Sequence, residues 1–124
     1  MEFYKNTDVK EIKIKDLNTK KKIIIKPKVN NKKFGILIFY SPDCKHCKAE
    51  VYLWSELANN FKNFNFLAYN VYDFKNKNEK IYEYMSIKQL PKIMNITKKG
   101  TLQPFKDEVK YDELFYKICK KLKL

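Results

Sequence analysis

Apolar and polar positions divide the chain into short blocks of two different periods. Phe34 to Tyr40 (Phe-Gly-Ile-Leu-Ile-Phe-Tyr) is a continuous apolar run. Its length and its β-branched and aromatic content predict a strand buried on both faces. Ser41-Pro42-Asp43 breaks the run, and apolar residues then recur at three- and four-residue steps: Cys47, Val51, Trp54, Ala58 and Phe61. That spacing predicts a helix with one inward face. Phe64 to Val71 reads as the next strand, and Asn78 to Ser86 as a short helix with Ile81, Tyr84 and Met85 inward. Leu90-Pro91 interrupts the chain before a strand over Lys92 to Thr97. Lys98-Lys99-Gly100 is a turn signal that makes Thr101 to Phe105 a hairpin partner. Tyr111 to Leu122 is a last helix, with Leu114, Phe115, Ile118, Cys119 and Leu122 on one face and lysines opposite.

The N-terminal third alternates more loosely. Ile12, Ile14 and the run Ile23-Ile24-Ile25 predict two short strands with Asn18-Thr19-Lys20 as the turn between them. Pro27 ends the second or holds it at a sheet edge, and Asn30 to Lys33 is a polar connector. The expected organisation is one domain: an N-terminal strand extension over residues 1–33 packed on a core over 34–124. From Phe34 onward the order strand, helix, strand, helix, strand, strand, helix implies an α/β fold, with a central mixed sheet covered by helices on both faces.

Composition narrows the function classes. A chain of 124 residues suits one compact domain. Only Gly35 and Gly100 occur as glycines, which excludes a glycine-rich phosphate cradle, and no cofactor is expected. No apolar run approaches the ~18 residues that mark a membrane span. The start, Met1 to Asn6, lacks the apolar stretch of a secretory signal, so an intracellular, cytoplasmic location is expected. The net charge is +13, and every basic residue is lysine. Such charge suits acidic partners, but arginine's bidentate fork, the usual reader of base edges, is missing. Specific nucleic-acid recognition is therefore disfavoured against plain drift toward the codons of an AT-rich genome.

Candidate chemistry concentrates at Cys44-Lys45-His46-Cys47. This pair falls where a central strand meets a helix start, where unpaired amides and the helix dipole stabilise a thiolate. A protonated His46 would add to that effect. Such settings lower a cysteine from ~8.5 to roughly 3.5–7.5. The two-residue gap lets Cys47 reach back across one turn, so Cys44 would attack a target and Cys47 would resolve the mixed disulfide. Two other readings stay open: a pair that caps the junction, or one that binds a metal or cluster shared between two chains. A structural zinc needs four ligands, and the sequence offers only Cys119 and His46 besides this pair.

The segment Phe39-Tyr40-Ser41-Pro42-Asp43-Cys44-Lys45-His46-Cys47-Lys48 resembles the active-site region of the thioredoxin superfamily. His46, just before the second cysteine, resembles protein disulfide isomerase domains. Leu90-Pro91, followed by a strand and the Lys99-Gly100 hairpin, matches the family's second landmark, and the resemblance runs from about Phe34 to Leu122. It implies a thioredoxin-like fold and a protein disulfide oxidoreductase or isomerase. Cys44 is implied as nucleophile, Cys47 as resolving thiol, and His46 as a residue that makes the couple more oxidising. Pro91 is implied as a cis proline which, with the Leu90 backbone, forms the edge that pairs with a substrate strand. Implied partners are protein thiols and disulfides, with a thiol oxidase or reductase for recycling. The arginine-free, Lys/Asn/Ile-rich composition is in turn similar to that of proteins from large DNA viruses and AT-rich intracellular organisms. Some such viruses carry thioredoxin-like proteins in the virion, a second location open to this chain.

Three departures from the family pattern bear on efficiency. Ile38 stands where many members bury an Asp or Glu that relays protons to the resolving thiol. Asp43 replaces a tryptophan and places a carboxylate beside Cys44, opposing the thiolate. Lys92 follows Pro91 where threonine is common, and with Lys45 and Lys48 it would give an electropositive rim suited to acidic substrates. Cys119, on an apolar helix face, is expected to be a buried small hydrophobe. The rival to an enzyme is a non-catalytic binding or virion module that keeps the fold and uses its lysine-rich surface.

Overall fold

The computed structural model describes residues 3–13, 16–18, 24–25, 35–61, 64–72, 87–97 and 101–104. Seven strands and two helices are assigned within them: β1 (Lys10–Glu11), β2 (Leu17–Asn18), β3 (Ile24–Ile25), β4 (Gly35–Tyr40), α1 (Lys45–Ala49), α2 (Val51–Asn60), β5 (Asn65–Asn70), β6 (Lys92–Ile96) and β7 (Leu102–Pro104). Five of the strands form one sheet in the order β1-β5-β4-β6-β7. β4 and β5 run parallel from Gly35↔Asn65 to Tyr40↔Asn70, and β1 adds parallel to the far side of β5. β6 pairs antiparallel with β4, and β7 antiparallel with β6. The sheet is therefore mixed, as the element order implies.

The apolar run over 34–40 owes its continuity to burial on both faces. Every residue of β4 and of β5 is buried. Side chains alternate across the pleat, so Ile36, Ile38 and Tyr40 enter one core cluster with Cys47, Trp54, Leu57 and Ala58 of the helices. Leu37 and Phe39 enter a second cluster on the opposite face with Ile12, Leu67, Tyr69, Met94 and Ile96. Both clusters are dominated by aliphatic and aromatic side chains, each worth about 1.5–3 kcal/mol on full burial.

Gly35 is required by close approach of the two central strands. A Cβ there would lie 2.0 Å from the Asn65 carbonyl oxygen, well inside van der Waals contact. The glycine thus fixes the start of the β4–β5 register, and through it the height at which the strand delivers the cysteines.

Three details differ from the sequence expectations. Asn18 belongs to β2 and pairs with Ile24, rather than lying in the turn. β1 lies at Lys10–Glu11 and joins the main sheet, whereas the short antiparallel pair is β2–β3. A hydrophobic pattern over so few residues does not say which strand a two-residue segment will pair with. The helix expected through Phe61 is also divided: at Glu50 (φ −96°, ψ −3°) the backbone N–H bonds back to Cys47 at 3.3 Å, separating α1 from α2. The predicted helices over 78–86 and 111–122, the turn over 98–100 and Cys119 lie outside the described residues.

Candidate active site

β4 ends at Tyr40, and Ser41-Pro42-Asp43 turns the chain into α1. Cys44 is the N-cap of that helix, in extended conformation (φ −84°, ψ 110°). Its amide donates to the Ser41 carbonyl at 3.1 Å, and its carbonyl accepts from the Lys48 amide at 3.1 Å. The sulfur takes the part a capping side-chain oxygen usually plays: Cys44 Sγ accepts from the Cys47 amide at 3.1 Å. A donor aimed at sulfur favours the thiolate over the thiol.

Cys44 and Cys47 are joined by a disulfide, with Cα atoms 5.2 Å apart. The two sulfurs meet different surroundings. Cys44 is half-buried, whereas Cys47 is 2% exposed and part of the helix-side core. Asp43, Lys45, His46 and Lys48 are all exposed around the pair. The motif is thus charged on its outer side and apolar beneath.

Leu90 and Pro91 lie on the segment that leads directly into β6. The peptide bond between them is cis. Leu90 packs against the same core cluster as Cys44, and Lys92, the first residue of β6, sits opposite Phe39 of β4. The antiparallel pairing therefore brings positions 90–92 to the end of the sheet from which the cysteines emerge. Lys92 is half-buried there.

Beneath the pair lies a polar group that the apolar spacing passes over. Glu50 is buried, and its Oε2 accepts from Trp54 Nε1 at 3.3 Å. Burial raises the carboxyl to about 7, and the Trp54 hydrogen bond works in the opposite direction. Tyr4 packs in the same cluster; burial, and then the carboxylates of Glu50 and Glu11, push its hydroxyl well above the usual tyrosine range. Glu11 in turn accepts from the Tyr4 amide at 3.1 Å and from the Tyr40 hydroxyl. The signal for Glu50 was present in the sequence: three after Cys47 and four before Trp54, it falls on their helix face. No local signal places Tyr4 and Glu11 there, because only the fold brings the first strand to this end.

Ile38 is 1% exposed in the same core cluster as Cys47, so the β4 residue there is an apolar one with no proton-accepting group. Among the described residues, no group of three His, Cys, Asp or Glu side chains is placed to hold a metal ion. None of the helices among them is long and apolar enough to cross a membrane.

The family model described as thioredoxin matches residues 13–120. No curated protein matches the chain. Solved structures similar to it include the short form of thioredoxin f from spinach chloroplast, with 21% identity, TM-score 0.66 and full coverage of both chains. Thioredoxin f2 of Chlamydomonas reinhardtii is similar at 18% identity and TM-score 0.65, over 91% of this chain and 95% of that one. A thioredoxin f2 solved in complex with ferredoxin:thioredoxin reductase is similar at 19% identity and TM-score 0.66, over 93% and 96%.

Proposed function

This chain belongs to the thioredoxin family, and from that premise we propose that it is a thiol–disulfide oxidoreductase acting on protein disulfides through Cys44 and Cys47. The observation that carries the reading is the division of labour within the pair: a half-buried sulfur receiving an N–H bond, followed by a buried one behind it. In the thiol form Cys44 is the accessible nucleophile. Its thiolate attacks a target disulfide and expels one target sulfur. Cys47 then attacks Cys44 Sγ, restoring the intramolecular disulfide and releasing the second target sulfur as a thiol. Two electrons pass to the target. Run backwards, the same steps oxidise a target dithiol.

Direction depends on how the couple is poised, and His46, placed as in the protein disulfide isomerase domains that the motif resembles, would tilt it toward oxidation or isomerisation. Leu90 and Pro91 supply the edge for an extended substrate segment, and Lys45, Lys48 and Lys92 favour acidic sequences beside the target cysteine. A thiol oxidase or a reductase would recycle the pair; the similar thioredoxin f2 in complex with a reductase supports a protein partner at this step.

Substituting Cys47→Ser tests the reading, because it removes resolution and leaves attack. Incubated in its reduced form with a protein disulfide, this variant accumulates a mixed disulfide through Cys44, visible by mass spectrometry and reversed by a reducing thiol. Absence of any adduct, with the wild type also inactive on the same disulfide, would favour a non-catalytic binding module.

A further inference from the structure

Resolution of the mixed disulfide begins only when the Cys47 thiol gives up its proton. Cys47 is 2% exposed even in its disulfide form, so water reaches its sulfur poorly, and apolar burial disfavours a thiolate. The β4 residue of the same core cluster, Ile38, offers no acceptor. One turn further along the helix, Glu50 does. Its amide bonds to the Cys47 carbonyl at 3.3 Å, its side chain is buried, and the Trp54 indole anchors one carboxylate oxygen at 3.3 Å. Trp54 and Cys47 belong to one packed cluster.

We propose that Glu50 is the proton acceptor for the resolving thiol, taking the Cys47 proton directly or through one water as Cys47 attacks Cys44. This inference rests on the exchange chemistry proposed above. In the step, the Cys47 S–H bond breaks and the Glu50 O–H bond forms. The Cys47 sulfur pair makes the new S–S bond, and the bond between Cys44 and the target sulfur breaks, releasing a target thiolate. Glu50 then passes its proton to that thiolate or to water and is ready again. Oxidation of a target dithiol reverses the sequence, with protonated Glu50 returning the proton to Cys47.

The surroundings suit the role. A base works best when it titrates near the working pH, and burial sets this carboxyl close to 7. Tyr4, from the N-terminal segment, lies close enough to feel the carboxylates of both Glu50 and Glu11, and Cys47 is joined to Glu50 through the backbone, one turn back on the same helix face. Tyr4 stays neutral over the whole working range, so it neither competes with Glu50 as a base nor adds a charge beside it.

The test follows the reduced protein reacting with a chromogenic aromatic disulfide in a stopped-flow instrument. The first equivalent of chromophore reports attack by Cys44, and the second reports resolution by Cys47. In the wild type the second phase rises with pH through about 7 and then flattens as Glu50 ionises. Glu50→Gln keeps an acceptor for the Trp54 N–H. It should slow the second phase about tenfold near pH 8 and abolish the inflection, while the first phase is unchanged. That loss is below the ~10²–10⁴ of stronger general-base cases, because a thiol is acidic enough to lose some protons to water. A second phase with unaltered rate and inflection overturns the proposal. Should the variant not fold, carbon NMR of the wild-type Glu50 carboxyl decides: its titration midpoint must shift between the disulfide and dithiol forms, and identical curves overturn the assignment. A wild type that releases no second equivalent sinks the exchange reading itself, and Glu50's role with it.

Discussion

The two halves of the Cys44–Cys47 motif live in different media. Its outer side carries Asp43, Lys45, His46 and Lys48, all exposed; its inner side carries Cys47, Glu50 and Trp54, all buried. Charges on the outer side are screened over about 8–10 Å by physiological salt, so each contributes little and several partly cancel. On the inner side one carboxylate, away from water, is displaced to about 7. Under the proposed function, the exposed groups would set encounter and selectivity, whereas the buried acid would govern proton traffic.

The largest expected effect comes from breaking the pair itself. Cys44→Ser should abolish turnover on a protein disulfide to within background, because hydroxyl is a far weaker nucleophile than thiolate; a residual rate within tenfold of wild type would contradict the assignment of Cys44. Gly35→Ala should damage the strand contact that positions both halves. With a Cβ 2.0 Å from the Asn65 oxygen, a loss of about 1–3 kcal/mol or more is expected from overpacking, measurable as a lowered urea midpoint.

The inner side has a pH signature of defined sign. The fold raises the Glu50 carboxyl from an ordinary 4.5 to about 7. The unfolded chain therefore binds fewer protons between those values, and stability falls as pH rises through that window. Relative to Glu50→Gln, the wild type should be comparable below about pH 4.5 and weaker by up to ~3 kcal/mol at pH 8. Denaturant melts at both pH values check this, and equal differences at the two would refute the buried-acid picture. Trp54→Phe removes the hydrogen bond that lowers the Glu50 carboxyl. Its titration should move upward, with a stability loss of about 1–3 kcal/mol from the lost bond to a charged or partly charged acceptor.

On the outer side the effects are smallest. Joint replacement of Lys45 and Lys48 by Gln should change stability by less than ~0.5 kcal/mol. The rate on an acidic peptide disulfide should fall at low salt, and the difference from wild type should vanish as salt rises. A difference that persists at high salt would mean direct contact rather than long-range attraction.

How much of this was legible in the chain follows the length of each signal. The seven-residue apolar run gave β4 almost to the residue, and the spacing of Cys47, Val51, Trp54 and Ala58 gave the helix and its inward face. The thioredoxin-like class follows from the Cys-Lys-His-Cys sequence together with Leu90-Pro91, and the family match over 13–120 agrees with it. The two-residue strands were legible only as a tendency, since β1 is held by its pairing with Leu67 and Ala68 rather than by any pattern of its own. Glu50 was passed over for a different reason. A charged side chain on an apolar stripe reads as a boundary of that stripe, and only its burial and its bond to Trp54 reveal it as part of the floor. Tyr4 and Glu11 reach the site through the parallel β1–β5 pairing, a contact between segments more than fifty residues apart in sequence.

The central claim is that Cys44 and Cys47 form a working redox couple rather than a structural clasp. Equilibrating the protein against a series of glutathione buffers, with the pair's oxidation state read by thiol alkylation and mass spectrometry, tests it most directly. A reversible two-electron couple is predicted, with a potential above roughly −260 mV, on the oxidising side of the thioredoxin range. A pair that stays locked in one state across the whole series, or a potential well below that figure, would contradict the account.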